Sequence, residues 1–162
     1  MNKTLIFLII SFTFYSIIYA QKNHGKFIIK GSVVAKNCEI KDSKVDFLLY
    51  KNGNLEKRIK KSSNKKIKFI LDYQNEYILK IEKNGYISKS IIFDTNIDEN
   101  KIREGFEPYP FKIFLCKQTI DSIKEYPKPV VLIRFLEDKD VFDFDNLYYL
   151  NRQKEFEEIK CD

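Results

Sequence analysis

Four aspartates near the C-terminus come closest, by residue type and spacing, to a chemical site. Asp138, Asp140, Asp143 and Asp145 lie within the stretch EDKDVFDFDN. Carboxylate oxygens are the ligands that Ca²⁺ prefers, so the group is a candidate calcium site. The stretch lacks the glycine and the closing glutamate of an EF-hand loop. The competing interpretation is an acidic surface segment whose aromatic residues pack inward. We favour it, and we expect neither a metal nor another cofactor.

The chain lacks the residue types of common catalytic sites. His24 is the only histidine, and it lies in a polar stretch before the first predicted strand. A nucleophilic serine or cysteine would therefore have no imidazole base beside it. Composition does not exclude a hydrolase with two carboxylates, but nothing in the spacing of the acidic residues supports one. We predict that the protein is not an enzyme and has no catalytic residue.

Positive charge is densest between residues 57 and 68. Aromatic side chains are not interleaved with these lysines as stacking platforms, so we expect no binding to nucleic acid. Lysines that alternate with apolar residues are typical of solvated strand faces and of protected sheet edges. The group consists of Lys57, Arg58, Lys60, Lys61, Lys65, Lys66 and Lys68.

The N-terminal segment Met1–Ala20 predicts export. It carries one charge, Lys3, followed by an apolar run. Ile18 and Ala20 suit the −3 and −1 positions of a signal-peptidase site, with Gln21 as the first mature residue. A retained membrane anchor is the alternative, because the run is about long enough to span a bilayer. We expect cleavage, no stable membrane insertion afterwards, and a location in the periplasm, at the outer membrane or outside the cell.

The expected mature chain is mildly basic and has an odd number of cysteines. Without Lys3 it has 28 Lys and Arg against 23 Asp and Glu, a net charge of +5. Cys38, Cys116 and Cys161 leave one thiol over if two are paired. Any bridge within the chain is expected to join Cys38 to Cys116, near the ends of two predicted strands. Three reduced cysteines are the alternative.

Alternating apolar and polar residues predict short strands along most of the chain. The clearest pair lies in Tyr77–Thr95, where Asn84-Gly85 is a hairpin signal that requires positive φ. Its second strand, predicted over residues 86–93, is irregular because Lys89 shares a face with apolar residues. Other strands are predicted at 26–34, 44–50, 55–60, 66–71, 111–115 and 131–135, and the last of these is expected to be the final strand. A short helix is predicted within 145–160, with Leu147, Leu150 and Phe156 packed back on the strands.

The pattern resembles the carboxypeptidase regulatory-like domain, a transthyretin-like β-sandwich. Gly31 matches a glycine in the family's first strand, and Lys83, Gly85 and Tyr86 match its Lys-x-Gly-Tyr turn. One departure is that Asn64-Lys65-Lys66-Ile67 stands where the family often has Gly-x-Phe. The matching stretches are FIIKGSVV, VDFLLYKNG, KIKFIL, YILKIEKNGY and IIFDT, followed by GFEPYPFKIFL, KPVVLIRF and FDFD, as in exported proteins of gliding and surface-associated bacteria.

The resemblance implies a non-catalytic accessory, adhesion or assembly module. We therefore expect an all-β protein, an antiparallel transthyretin-like or Ig-like sandwich of about seven to eight strands with a short C-terminal helical or irregular tail. The predicted divisions are a signal peptide over 1–20, a sandwich over 21–137 and an acidic, aromatic extension over 138–162. The expected partner is an envelope or cell-surface protein or glycan. The alternative is an exported enzyme or enzyme accessory with a carboxylate or calcium site.

Overall fold

Strands form where the apolar residues alternate, because every second side chain then reaches one face of a sheet. In the strand Ile67–Asp72, for example, Ile67, Phe69 and Leu71 are buried while Lys68 and Ile70 are exposed. The computed structural model describes residues 25–35, 44–62, 65–102, 105–118, 126 and 128–157. Its elements are β1 (Lys26–Ala35), β2 (Lys44–Lys51), β3 (Asn54–Ser62), β4 (Ile67–Asp72), β5 (Glu76–Glu82), β6 (Lys89–Asp94), α1 (Glu99–Ile102), β7 (Tyr109–Leu115), β8 (Val131–Leu136), β9 (Val141–Phe144) and α2 (Asn146–Glu157).

The strands form two sheets that pack as a β-sandwich. One sheet has the order β4-β1-β7 and the other has the order β3-β2-β5-β6-β8-β9. The predicted all-β sandwich is confirmed. The sheets are mixed, however, because β1 pairs with β7 and β6 pairs with β8 in parallel. A parallel pairing needs a long connection, which here passes from β6 to the other sheet at β7 and then back to β8.

The core fills the space between the inner faces of the two sheets. Gly31 sits opposite Phe111 in the β1–β7 register, and a Cβ at Gly31 would lie 2.5 Å from the Phe111 ring. Glycine at this position therefore lets β1 pack closely against the Phe111 ring. The largest fully buried side chains include Tyr77, Phe27, Phe47, Phe69 and Phe93.

The connection between β5 and β6 is longer than the predicted hairpin. Gly85 has φ +75°, as predicted, and the Tyr86 N–H donates to the Lys83 carbonyl at 3.0 Å. The second strand does not begin at Tyr86 but at Lys89. Residues 86–88 instead face the segment after β7: the Ile87 N–H donates to the Cys116 carbonyl at 2.9 Å. This contact links the two sheets at one end of the sandwich.

The chain has a strand beyond the one expected to be its last. β9 pairs antiparallel with β8, and Phe142 at its centre is buried in the core. Phe142 stacks on Phe27 with ring centroids 4.2 Å apart. The sandwich thus includes four residues of the segment that the sequence assigned to an extension. The sequence did not predict this short strand because Asp143 and the acidic residues beside β9 are of a type that is uncommon in strand interiors.

The predicted C-terminal helix is present as α2, but its packing was predicted wrongly. Leu147 and Leu150 are 67% and 59% exposed and do not pack on the sandwich. Tyr148 contributes to attaching the helix, because its hydroxyl donates to the Pro129 carbonyl at 2.8 Å. Phe156, the third residue expected to pack back, has a side chain outside the described part. No helix in the described ranges is long and apolar enough to cross a membrane.

Candidate functional site

Three of the four aspartates proposed as calcium ligands have separate partners. Asp140, in the turn after β8, pairs with Lys101 of α1. Asp143 lies 3.6 Å from the Lys139 ammonium. Asp138 is exposed in that same turn. The structure does not gather them round a common point: within the described ranges no group of three or more His, Cys, Asp or Glu side chains could hold a metal ion.

Asp145, the fourth of these residues, begins α2. Its Oδ1 accepts the Tyr148 N–H at 2.9 Å, and its Oδ2 accepts a bond from Arg134 Nε at 2.6 Å. The bond from the Tyr148 N–H, together with Arg134, holds the pKa of this carboxyl below its usual value. Asp145 is therefore an N-cap and an ion-pair partner.

Part of the basic group between residues 57 and 68 lies at a sheet edge. β3 is an outer strand of the six-stranded sheet. Arg58 Nε and Lys60 Nζ lie 3.2 and 3.4 Å from the Asp46 carboxylate. Charged side chains on an outer strand oppose edge-to-edge pairing with other chains.

Two carboxylates do face one another across the outer surface of the six-stranded sheet. Asp46 and Glu82 are register partners between β2 and β5, and both line a polar cavity of about 300 Å³. Lys80 Nζ lies 3.0 Å from Glu82, and Asp46 has the two cations described above. Both carboxylates are thus engaged in ion pairs with neighbouring cations.

An apolar groove opens between the two sheets on the other side of the molecule. It runs along β7, an outer strand of the three-stranded sheet, and faces β6 and β8. Its first part is a cavity of about 230 Å³. The side chains that form most of its wall are Tyr109, Phe111, Ile113, Val131, Ile133 and Phe144.

The second part of the groove is a cavity of about 300 Å³ that contains two lysines. It shares Lys112, Ile113 and Val131 with the first part, so the two are continuous. We call the whole feature the β7 groove. The further residues of this second part are Lys89, Phe114, Tyr126, Val130 and Tyr149.

The second part of the β7 groove, which contains Lys89 and Lys112, is its lysine end. Backbone hydrogen bonds and the C-terminal helix form this end. The N–H groups of Tyr126 and Val130 donate to the carbonyls of Ser88 and Ser90, at 3.1 and 2.8 Å. These bonds hold Tyr126 beside β6. The helix brings Tyr149 to the opposite wall, where its ring meets Phe144 edge-on with centroids 6.0 Å apart.

A disulfide supports the same end of the groove. Cys116, directly after β7, is buried and disulfide-bonded. Its Sγ lies 4.0 Å from the Tyr126 hydroxyl. Three reduced cysteines are thus not what the structure contains. Cys38 and Cys161 lie outside the described residues, so the pairing of Cys116 with Cys38 stays a prediction.

Sequence reasoning missed this groove, although one signal for it was present. Lys89 interrupts the inward face of β6, whose next members Ile91 and Phe93 are buried in the core. Its register partner on β5, Ile81, is fully buried. A lysine on an inward face is unusual unless its charge reaches an opening. The spacing of residues shows the irregularity, but not the cavity beside it.

Comparison with family models, with characterised proteins and with solved structures yields no match for this chain.

Proposed function

We propose that the protein is a non-catalytic interaction module that is exported to the cell envelope or the cell surface. The observation that carries the proposal is the β7 groove, an open and mainly apolar cleft. Concave apolar surfaces with a few polar groups are where proteins usually bind ligands. The resemblance to carboxypeptidase regulatory-like domains supports an accessory or assembly role, and the predicted signal peptide supports export.

The aromatic residues of the groove favour a binding role over a purely structural one. Phe114 and Tyr149 are 49% and 40% exposed and lie in the same cavity. Exposed aromatic side chains that cluster in a cleft lose water when a partner covers them, which favours association. An envelope protein that inserts apolar side chains between β7 and β8 is the partner we propose.

Site-specific photo-crosslinking in cells tests the proposal. Benzoylphenylalanine in place of Phe114 should capture an envelope protein, because position 114 lies in the groove. The matched control is the same substitution at Leu55, which is exposed at 53% on the outer strand β3. Crosslinks at 55 but not at 114 would contradict the proposal, and so would their absence at both positions.

Export and the lack of catalysis need their own measurements. N-terminal sequencing of protein from the envelope fraction should begin at Gln21. Purified protein should turn over neither glycans nor peptides in a broad screen. Turnover that Asp140→Asn or Asp143→Asn abolishes would instead support the exported enzyme that we keep as the alternative.

A further inference from the structure

Lys89 is a cation on the inner face of a sheet. Its Nζ lies 4.9 Å from the centroid of the Tyr126 ring. No acidic side chain in the described part of the chain comes within 4.0 Å of it. Burial lowers the pKa of Lys89, since the charged form loses water there. The aromatic face offsets part of this cost, and a bound anion would offset more.

A second lysine, Lys112, lines the same cavity and is exposed to solvent. The Lys112 Nζ is 5.2 Å from the centroid of the Phe114 ring. It too forms no ion pair with any acidic residue that the structure describes. Lys51 and Lys101, by contrast, do have carboxylate partners. Among the described residues, the lysine end of the β7 groove thus places two lysines without a carboxylate partner beside three aromatic rings.

The lining limits what kind of anion the groove accepts. Beyond the two lysines, the side chains of the walls are aliphatic and aromatic, and their further polar groups are tyrosine hydroxyls. A sugar site would need side chains that hydrogen-bond a series of hydroxyls. The two continuous cavities, of about 230 and 300 Å³, instead offer space for successive apolar side chains of one extended chain.

We infer that the β7 groove binds an extended apolar peptide segment whose carboxylate pairs with Lys89 and Lys112. The carboxylate is supplied either by the C-terminus of the partner or by an acidic side chain. The apolar residues beside it occupy the part of the groove between Tyr109 and Phe144. This inference rests on the proposed function and specifies the chemistry of the partner.

The first test uses a small probe that has both an apolar side chain and a carboxylate, N-acetyl-phenylalanine. Its binding to the purified protein is measured by NMR titration. The amide resonances of Lys89, Ile113 and Val131 should shift and saturate at millimolar concentration. N-acetyl-phenylalanine amide, which lacks the charge, should bind about tenfold more weakly or worse. Equal binding of the two probes, or no shift of these resonances, overturns the inference.

Variants of the two lysines test whether Lys89 and Lys112 bind the carboxylate of the probe. Lys89→Met removes the charge with little change of volume and should weaken binding of the acid about tenfold. Lys89→Arg should retain binding, and Lys57→Met on β3 is the matched control. Lys112→Met tests the second cation and stands in if the Lys89 variant does not fold. Binding unchanged in both methionine variants overturns the inference.

A synthetic library of eight-residue peptides separates the two sources of the carboxylate. Selection of free C-termini that lose binding on amidation assigns the site to chain ends. Selection of internal Asp or Glu, regardless of amidation, assigns it to acidic side chains. Selected peptides without any carboxylate overturn the inference but leave the interaction module standing. Conversely, peptides could bind in vitro while the crosslinker at position 114 captures no protein in cells. That result would refute the envelope partner but not the peptide site.

Discussion

The hydroxyl of Tyr77 accepts a hydrogen bond from the backbone N–H of Asp72 at 3.0 Å. Four residues earlier, the hydroxyl of Tyr73 is buried without a hydrogen-bond partner among the described residues. Burial raises the pKa of Tyr73, because the phenolate would lose water. Two tyrosines close in sequence therefore make opposite contributions: one satisfies a backbone group, while the other buries a polar atom without a bond.

This contrast predicts opposite effects of the same substitution. Tyr77→Phe should lower the free energy of unfolding by about 1 kcal/mol, since it leaves the Asp72 N–H without its acceptor. Tyr73→Phe should leave that free energy unchanged or raise it by up to about 1 kcal/mol. Urea unfolding of the two variants measures both effects. A larger loss for Tyr73→Phe than for Tyr77→Phe would show that the Tyr73 hydroxyl has a partner.

The turn after β5 depends on glycine at one position. Gly85 has φ +75°, although a Cβ there would meet nothing within 4 Å. Gly85→Val should consequently lower the free energy of unfolding by roughly 1–3 kcal/mol through backbone strain rather than through a clash. Gly85→Asn should cost less, because asparagine tolerates positive φ. Similar midpoints of chemical denaturation for the valine variant and the unmodified protein would argue against strain at this turn.

The pH dependence of stability should include a contribution from Asp145. Its pKa is lowered in the folded protein, mainly by the Tyr148 N–H and also by Arg134. The carboxylate therefore stabilises the fold fully above its unfolded pKa of about 3.9, and this stabilisation is lost as pH falls through the lower folded pKa. Asp145→Asn keeps a capping side chain without the charge, so its unfolding free energy should fall less between pH 6 and pH 2.

The control for this titration is Asp138→Asn, in the exposed turn before β9. It should lose stability with acid to the same extent as the unmodified protein. Denaturant unfolding at a series of pH values measures all three proteins. Parallel curves for the Asp145 variant and the unmodified protein would mean that the cap and the ion pair do not couple folding to protonation.

The disulfide at Cys116 should close a loop back to the end of β1. Ala35 and Leu115 are register partners at the ends of the parallel strands β1 and β7. Cys38 follows Ala35 by three residues, within about 10 Å of extended chain, and Cys116 follows Leu115 directly. Peptide mapping of unreduced protein should link Cys38 to Cys116, and thiol titration after denaturation should find one free group, Cys161. A peptide that links Cys116 to Cys161 would refute the pairing.

Removal of the bridge should weaken the fold. Cys116→Ser is expected to lower the free energy of unfolding by about 2–4 kcal/mol, because the unfolded chain gains freedom. Cys161→Ser is the matched control and should change it little. Equal losses in the two variants would instead point to Cys161 as the partner of Cys116.

Local pattern alone determined most of the strands of this protein. Alternation over stretches such as Ile67–Leu71 predicts which side chains are buried, since the strand period of two is a property of the backbone itself. The positive φ of Gly85 and the turn at Asn52-Gly53 follow equally from local conformational preference. The predicted helix near the C-terminus also formed, beginning one residue after Asp145.

Only the tertiary structure decided how those strands pair and where the protein can bind. The parallel neighbours β1–β7 and β6–β8 depend on the return of distant segments, which no local preference encodes. The β7 groove likewise arises because β7 and β8 belong to different sheets and leave a gap between them. Lys89 was visible in the sequence as an irregular inward residue. Whether its charge is compensated depends on side chains brought near it from β7, α2 and the segment before β8, because electrostatic interactions act through space rather than along the chain.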